Sequence, residues 1–136
     1  MDGNYFRLGS LFVTAFVVVS CSSVHRVDGW YPVANGSGNR IEGKVIVSTN
    51  DFDIISLDTV TYPDVAVIVG KLKPDKIDKW ADATEKRIGK RIGFLFKDSV
   101  VTAPTVNCRI ESGSFSINSA DKELISDICS SLRKIK

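Results

Sequence analysis

"ADATEKRIGKRIGFLFKDSVVTAPTVNCRIESGSFSI", residues 81–117, changes its hydrophobic period partway along, and that change decides the fold. With the residues just before it, the opening places Ile77, Trp80, Ala81, Thr84 and Ile88 three or four apart, the spacing of an amphipathic helix. Pro74 suits the first turn of that helix and Gly89 its end. Asp75, Asp78, Asp82 and Glu85 fall early and Lys86, Arg87, Lys90 and Arg91 late, an order that complements the helix dipole. The basic residues are therefore read as a solvated face before a phosphate or lipid site. From Ile92 the pattern becomes that of strands: Ile92–Lys97, a tight Asp98-Ser99 turn, then Val100–Ile110. In this last run Val106, Cys108 and Ile110 alternate with Asn107 and Arg109, which predicts one buried face. Pro104 cannot donate to a ladder, so it marks a bulge or an edge position.

On the C-terminal side, Glu111–Gly113 turns the chain and Ser114–Ile117 returns as a strand. Asn118 with Asp121 makes a capping-box-like start to a last helix whose inward stripe is Leu124, Ile125, Ile128, Leu132 and Ile135. On the N-terminal side, Trp30–Val33 is β-prone, Ala34–Arg40 is a loop, and Lys44–Ser48 reads as a strand. Thr49–Phe52 is a turn or single helical turn, and strands Ile54–Val60 and Val65–Gly70 are joined by Tyr62-Pro63-Asp64. The order predicts an α+β fold, a mainly antiparallel sheet with two helices packed on one face. The expected core includes Trp80, Ile88, Phe94, Val106, Ile110, Ile117 and Ile128.

A chain of 136 residues, 43% hydrophobic and 25% charged, is sized and composed as one globular domain. A net charge of +2 is too balanced to argue for nucleic acid. With one histidine, His25, three cysteines, and no CxxC or HExxH spacing, no metal or other cofactor is expected. Ahead of the domain, Leu8–Val19 is an apolar run of 12 residues behind Arg7. That fits a secretory leader and falls short of the roughly 20 residues of a bilayer span. Val18-Val19-Ser20 before Cys21 resembles a bacterial lipobox, although Val18 stands where leucine is usual and Asp2 dilutes the positive start. The expectation is a lipoprotein signal peptide at 1–20, a lipidated Cys21 opening a tether at 21–29, and a domain at 30–136. An ordinary secretory or anchoring signal is the alternative. A lipid anchor would hold the chain to a membrane on the extracytoplasmic side of a bacterial envelope, since each buried methylene contributes about 0.8 kcal/mol.

The stretch from Ala81 to Ile117 also resembles the head subdomain of the first periplasmic domain of SecD/SecDF, the protein-export accessory subunits. The matching positions are Ala83-Thr84, Ile88-Gly89-Lys90-Arg91, the Asp98-Ser99 turn, Thr102-Ala103-Pro104, and Ile110-Glu111-Ser112-Gly113 through Ile117. Ser112 and Phe115 replace family glycines, which makes that loop less permissive. The resemblance implies the head fold and contact with unfolded preprotein. Nothing here corresponds to the family's proton-conducting transmembrane helices, so translocase activity is not expected to follow.

Chemistry is weakly supported by comparison. His25 falls in the tether, and Asp51, Asp53, Asp58 and Asp64 fall at strand ends and turns where solvation explains them. Ser112 and Ser114 have no neighbouring base in the sequence. The expectation is a non-enzymatic module binding protein or peptide in the envelope. Thr102, Ala103 and Pro104, with Gly113, are the family-motif positions where a strand edge could be exposed to an extended chain. The plainer alternative is that Ala103-Pro104 only shapes a bulge. A scaffold or inhibitor lipoprotein using the fold for one specific envelope partner remains the other reading. Cys108 and Cys129 are an even pair that an oxidising compartment could join, but both are expected on inward faces as free, buried thiols.

Overall fold

The computed structural model describes residues 25–135; the signal-peptide reading of residues 1–20, Cys21 and the first part of the tether lie outside the described residues. The elements run β1 (Gly29–Val33), β2 (Val47–Ser48), β3 (Phe52–Asp58), β4 (Ala66–Leu72), α1 (Ile77–Lys86), β5 (Arg91–Phe96), β6 (Ser99–Thr102), β7 (Ser114–Ser119) and α2 (Lys122–Ile135). Single 3-10 turns at Thr49–Asp51 and Pro74–Lys76 lead into β3 and α1. The architecture is α+β with every strand pair antiparallel, as expected, but the strands divide between two sheets, ordered β2-β1-β5-β6 and β3-β4-β7.

The sheets share one core. Trp30 from β1 lies 5.7 Å from the Trp80 ring of α1, 5.6 Å from Phe94 of β5 and 6.1 Å from Phe115 of β7. Phe115 in turn lies 4.3 Å from Phe52 of β3. Offset and edge-on aromatic pairs at such distances add to the area they bury. Gly70, opposite Phe115 in the β4–β7 register, leaves the space that ring occupies; a Cβ there would collide with it. The Trp80 indole N–H donates to the Ser114 carbonyl at 3.0 Å, which fixes α1 to the start of β7. Helix α2 lies across β3, β4 and β7 and buries Ile125, Ile128, Cys129 and Leu132.

Five local expectations need correction, each for an identifiable reason. The β5–β6 turn is Lys97-Asp98, one residue earlier than expected, because both take positive φ (49° and 66°) and make a two-residue hairpin under the Phe96–Ser99 pair. Strand β6 ends at Thr102, ahead of Pro104, so residues 103–113 do not keep a two-residue period; Val106 is buried, Ile110 is half-buried and Cys108 is exposed. Ile88 lies past the end of α1 and is 48% exposed, outside the core. Asp121 rather than Asn118 caps α2, its carboxylate accepting from the Leu124 N–H at 3.0 Å, while Asn118 sits within β7. The inward stripe of α2 stops short of Ile135, which is exposed. Cys108 and Cys129 are both free thiols, the first at the surface and the second in the core.

Trp80, 1% exposed at the junction of both sheets, carries the first test. Trp80→Ala is expected to lower stability by about 3–5 kcal/mol in urea denaturation. Ile88→Ala should stay within about 0.5 kcal/mol of the parent.

Candidate functional site

The motif segment around Pro104 is committed to holding the fold. The Pro104 carbonyl accepts from the Ile92 N–H at 3.1 Å, and Val106 both donates to the Lys90 carbonyl and accepts from the Gly89 N–H at 2.8 Å. Arg91 locks the same place. Its Nε donates to the Ala103 carbonyl at 3.2 Å, and its Nη1 donates to the carbonyls of Ala34, Gly36 and Gly38. Its Nη2 reaches the Asn39 side chain. Arg87 bridges Glu42 and the carbonyls of Val33 and Arg91 at 2.8–2.9 Å. These two arginines, read from sequence as solvated, instead collect main-chain carbonyls, Arg91 those of the 34–40 loop and Arg87 those of Val33 and Arg91. No signal in the sequence could have found this, because Arg91 reaches the 34–40 loop only through the pairing of β5 with β1.

Gly113 is equally structural. Its φ is +76°, its carbonyl accepts from the Leu72 N–H at 2.9 Å, and an added Cβ would stand 2.7 Å from Ile77. Arg109 pins the irregular segment to α1 through Asp82 (3.0 Å) and Glu85 (2.8 Å), with Glu111 also at 3.0 Å. The hydrogen bonds that Arg109 donates to these carboxylates, that to Asp82 foremost, push its pKa up.

Four strand edges end the two sheets, and they differ in availability. Strand β2 has two residues. Strand β6 has four, carries a bulge at Val101, and runs on into the Pro104 segment just described. Strand β7 runs close to β6. Strand β3 is seven residues long, and among the described residues Ile54–Leu57 make no main-chain hydrogen bond beyond the pairing with β4. Short, bulged and covered edges resist pairing with another chain; a longer bare one invites it. The bulge at Asp53 leaves five consecutive residues, Ile54–Asp58, in unbroken register.

Alternation along β3 separates two faces. Ile55 and Leu57 pack on the core, while Ile54, Ser56 and Asp58 stand beside Lys71, Val69 and Val67 of β4 on the opposite face. Ile54 is 59% exposed and Val69 48%, and the 59–65 loop adds exposed Val60 and Tyr62. A cavity of about 430 Å³ opens there over Val65, Val67 and Val69, walled by Asp58, Tyr62 and Asn118. The Asp58 carboxylate accepts from the Val60 and Thr61 N–H groups at 3.0 and 2.9 Å. Those bonds, Thr61 foremost, hold it below the usual carboxylate range and therefore charged at neutral pH.

A larger cavity, about 720 Å³, lies between the entering chain and the β5–β6 hairpin, among His25, Arg26, Arg40, Asp98 and Val100. His25 Nδ1 lies 3.0 Å from Asp98, and this contact, with the Arg26 N–H, holds the Asp98 carboxyl below its ordinary range. Among the described residues no group of three or more His, Cys, Asp or Glu could hold a metal, and no helix is long and apolar enough to cross a membrane.

Two antiparallel sheets joined by aromatic side chains, with the 103–113 segment strapped to α1, match a known type of domain. The family model described as SecDF, P1 head subdomain, matches residues 30–133. The chain belongs to that family. Two solved structures are similar, each at 20% identity over 79% of this chain. One is described as "Structure and function of a membrane component SecDF that enhances protein export", with a TM-score of 0.67. The other is described as "Crystal structure of SecDF in Super-membrane-facing form", with a TM-score of 0.66. The chain spans 62% of the first and 18% of the second. Comparison with curated protein sequences finds no match.

The Gly113 geometry yields the test of this site. Gly113→Ala is expected to destabilise by about 1–3 kcal/mol, combining left-handed strain with overpacking against Ile77. Ser112→Ala, one residue away and without either constraint, should change the melting temperature by no more than a few degrees.

Proposed function

We propose that this chain is a non-enzymatic, extracytoplasmic lipoprotein of the bacterial cell envelope that binds extended protein or peptide segments through its SecDF head-like domain, with a role linked to protein export. In this reading residues 1–20 are the signal peptide, Cys21 carries the lipid and residues 21–29 are the tether to a domain spanning 30–136. The observation that carries it is the β3 edge, where among the described residues Ile54–Leu57 make no main-chain hydrogen bond beyond β4, beside an exposed apolar face; β2 and β6 are short and β7 runs close to β6. Main-chain pairing to such an edge gives affinity for extended chains of many sequences, and neighbouring side chains then set preference. The Thr102–Pro104 segment and Gly113 serve in this account as the strap that keeps the fold closed. The similar protein described as enhancing protein export supplies the link to secretion.

In cells, labelled palmitate should enter the parent protein and be lost with Cys21→Ala, which should also release the protein from membranes. A photo-crosslinker at Ser56, exposed on β3, should capture secreted chains during export, whereas one at exposed Lys90 should not. Equal capture at both positions, or at neither, contradicts the binding assignment.

A further inference from the structure

The five residues Ile54–Asp58 at the β3 edge are complementary to themselves. When a second strand joins a sheet, residues that stand opposite each other share a face. For two identical antiparallel segments this requires a two-fold axis through a residue, because an axis between two residues would set inward side chains against outward ones. An axis through Ser56 is the one that uses all five residues of both copies. It sets Ser56 against Ser56 of the second copy, Ile55 against Leu57, and Ile54 against Asp58. Each of these pairs lies on a single face: Ile55 and Leu57 inward, Ile54, Ser56 and Asp58 outward. Asp53, at the bulge, lies outside the paired five.

We infer that two copies of this chain pair β3 to β3 across a two-fold axis at Ser56, each closing the other's open edge. On the inner side, Ile55 and Leu57 pack against the core yet stay half-exposed, because β3 is the outermost of the three strands that α2 crosses. Self-pairing sets each against the other's copy, an apolar cross-strand pair on either side of the axis. It also joins two three-stranded sheets into one, ordered β7-β4-β3-β3-β4-β7. The two β4 strands then stand three strand spacings apart, roughly 14 Å, which leaves room for both α2 helices at about 10 Å diameter. On the outer side, each end of the junction reads Lys71, Ile54, then Asp58 of the second copy. Lys71 is exposed and makes no ion pair among the described residues. Its backbone and that of the second copy's Asp58 are two spacings apart, roughly 10 Å, within reach of a lysine and an aspartate side chain. Asp58 is charged, its turn bonds holding it below the usual carboxylate range, and no like charges stand opposite each other. The inference rests on the same open edge as the client reading, though not on client binding: copy and client compete for one row of amides. Five residues a side make a short ladder, so self-pairing is reversible, and dilution frees the edge for a client.

The test uses the full chain carrying Cys108→Ser, so that the exposed native thiol cannot react, and adds one cysteine at a time. The chain with Cys108→Ser alone supplies the background. Ser56→Cys, on the axis, brings its Cα to within about 5 Å of its copy, inside the roughly 7 Å that a disulfide allows. Ile54→Cys, also exposed and on the same face, stands four positions out of register with its own copy, roughly 13 Å away. Under mild oxidation Ser56→Cys should form a product with the mass of two chains on the order of tenfold faster than Ile54→Cys. In the chain without an added cysteine, Ser56→Lys sets like charges opposite each other at the axis. It should weaken self-association in sedimentation by about fivefold, with an unchanged tryptophan emission spectrum showing that the fold is intact. Equal rates at positions 54 and 56, or no two-chain product from Ser56→Cys, overturn the inference and leave the client reading to its own crosslinks. Faster coupling at Ile54, or self-association unaffected by Ser56→Lys, overturns it as well, since either result places the contact away from the Ser56 axis.

Discussion

The packing of Trp30 against Trp80, Phe94 and Phe115 is the constraint on which the rest of the domain depends. Neither sheet is large, with four strands in one and three in the other. A small sheet is stable only when one face is covered. The aromatic junction supplies that cover for both at once, because Trp30 and Phe94 come from one sheet, Phe115 and Phe52 from the other, and Trp80 from the helix between them in sequence. It also fixes which face of β3 and β7 turns inward, since shifting either strand by one residue would send its aromatic to solvent. The bulge at Asp53 switches the alternation in β3, so that Phe52, Ile55 and Leu57 face the core while Ile54 stands exposed, and Val69 is exposed between the inward Ile68 and Gly70.

Arg91 and Arg87 do for the backbone what Trp30 does for the side chains. Arg91 collects carbonyls of Ala34, Gly36 and Gly38 in the loop and of Ala103, and Arg87 collects those of Val33 and Arg91 at the ends of β1 and β5. This closes the β6 side of the molecule and joins β1, β5 and the Pro104 segment into one unit. Among the described residues, Ile54–Leu57 of β3 make no main-chain hydrogen bond beyond the pairing with β4. The asymmetry between a strapped edge and a bare one, within one small domain, is the physical basis for assigning the bare one to a partner.

Much of this was legible in the sequence because period and composition carry it. The helix around Trp80, the β5–β6 hairpin, the last helix and the antiparallel α+β class all follow from local pattern, and Trp80, Phe94, Val106, Ile117 and Ile128 are buried as expected. What escaped was decided by tertiary partners. Cys108 and Ile110 alternate as strand residues should, yet Pro104 ends the ladder and the Arg109 ion pairs hold their segment as a loop on α1. Ile88 keeps the helical spacing but lies beyond the helix end. The arginines after α1 look like a solvated dipole complement because sequence shows their charge and hides the carbonyls they meet. The division into two sheets was likewise invisible, since it depends on which strands pair across long separations. For the candidate surface, the carbonyls of Ala103, Pro104 and Gly113 are engaged within the domain, and of the aspartates read as solvated Asp53 and Asp58 lie in β3 while Asp51 and Asp64 lie in the turns beside it.

The proposed role is that of a surface that holds chains before they fold, resting on the family and on the β3 edge as the described residues leave it. Such a surface needs weak, sequence-tolerant pairing, which main-chain hydrogen bonding to a strand provides. The most direct measurement is amide hydrogen exchange across the described residues, with and without an unfolded client. The account predicts slowed exchange within Ile54–Asp58 on adding the client, with Val100–Val106 unchanged. Protection confined to Val100–Val106, or no change in β3 under conditions where the client is bound, would contradict it.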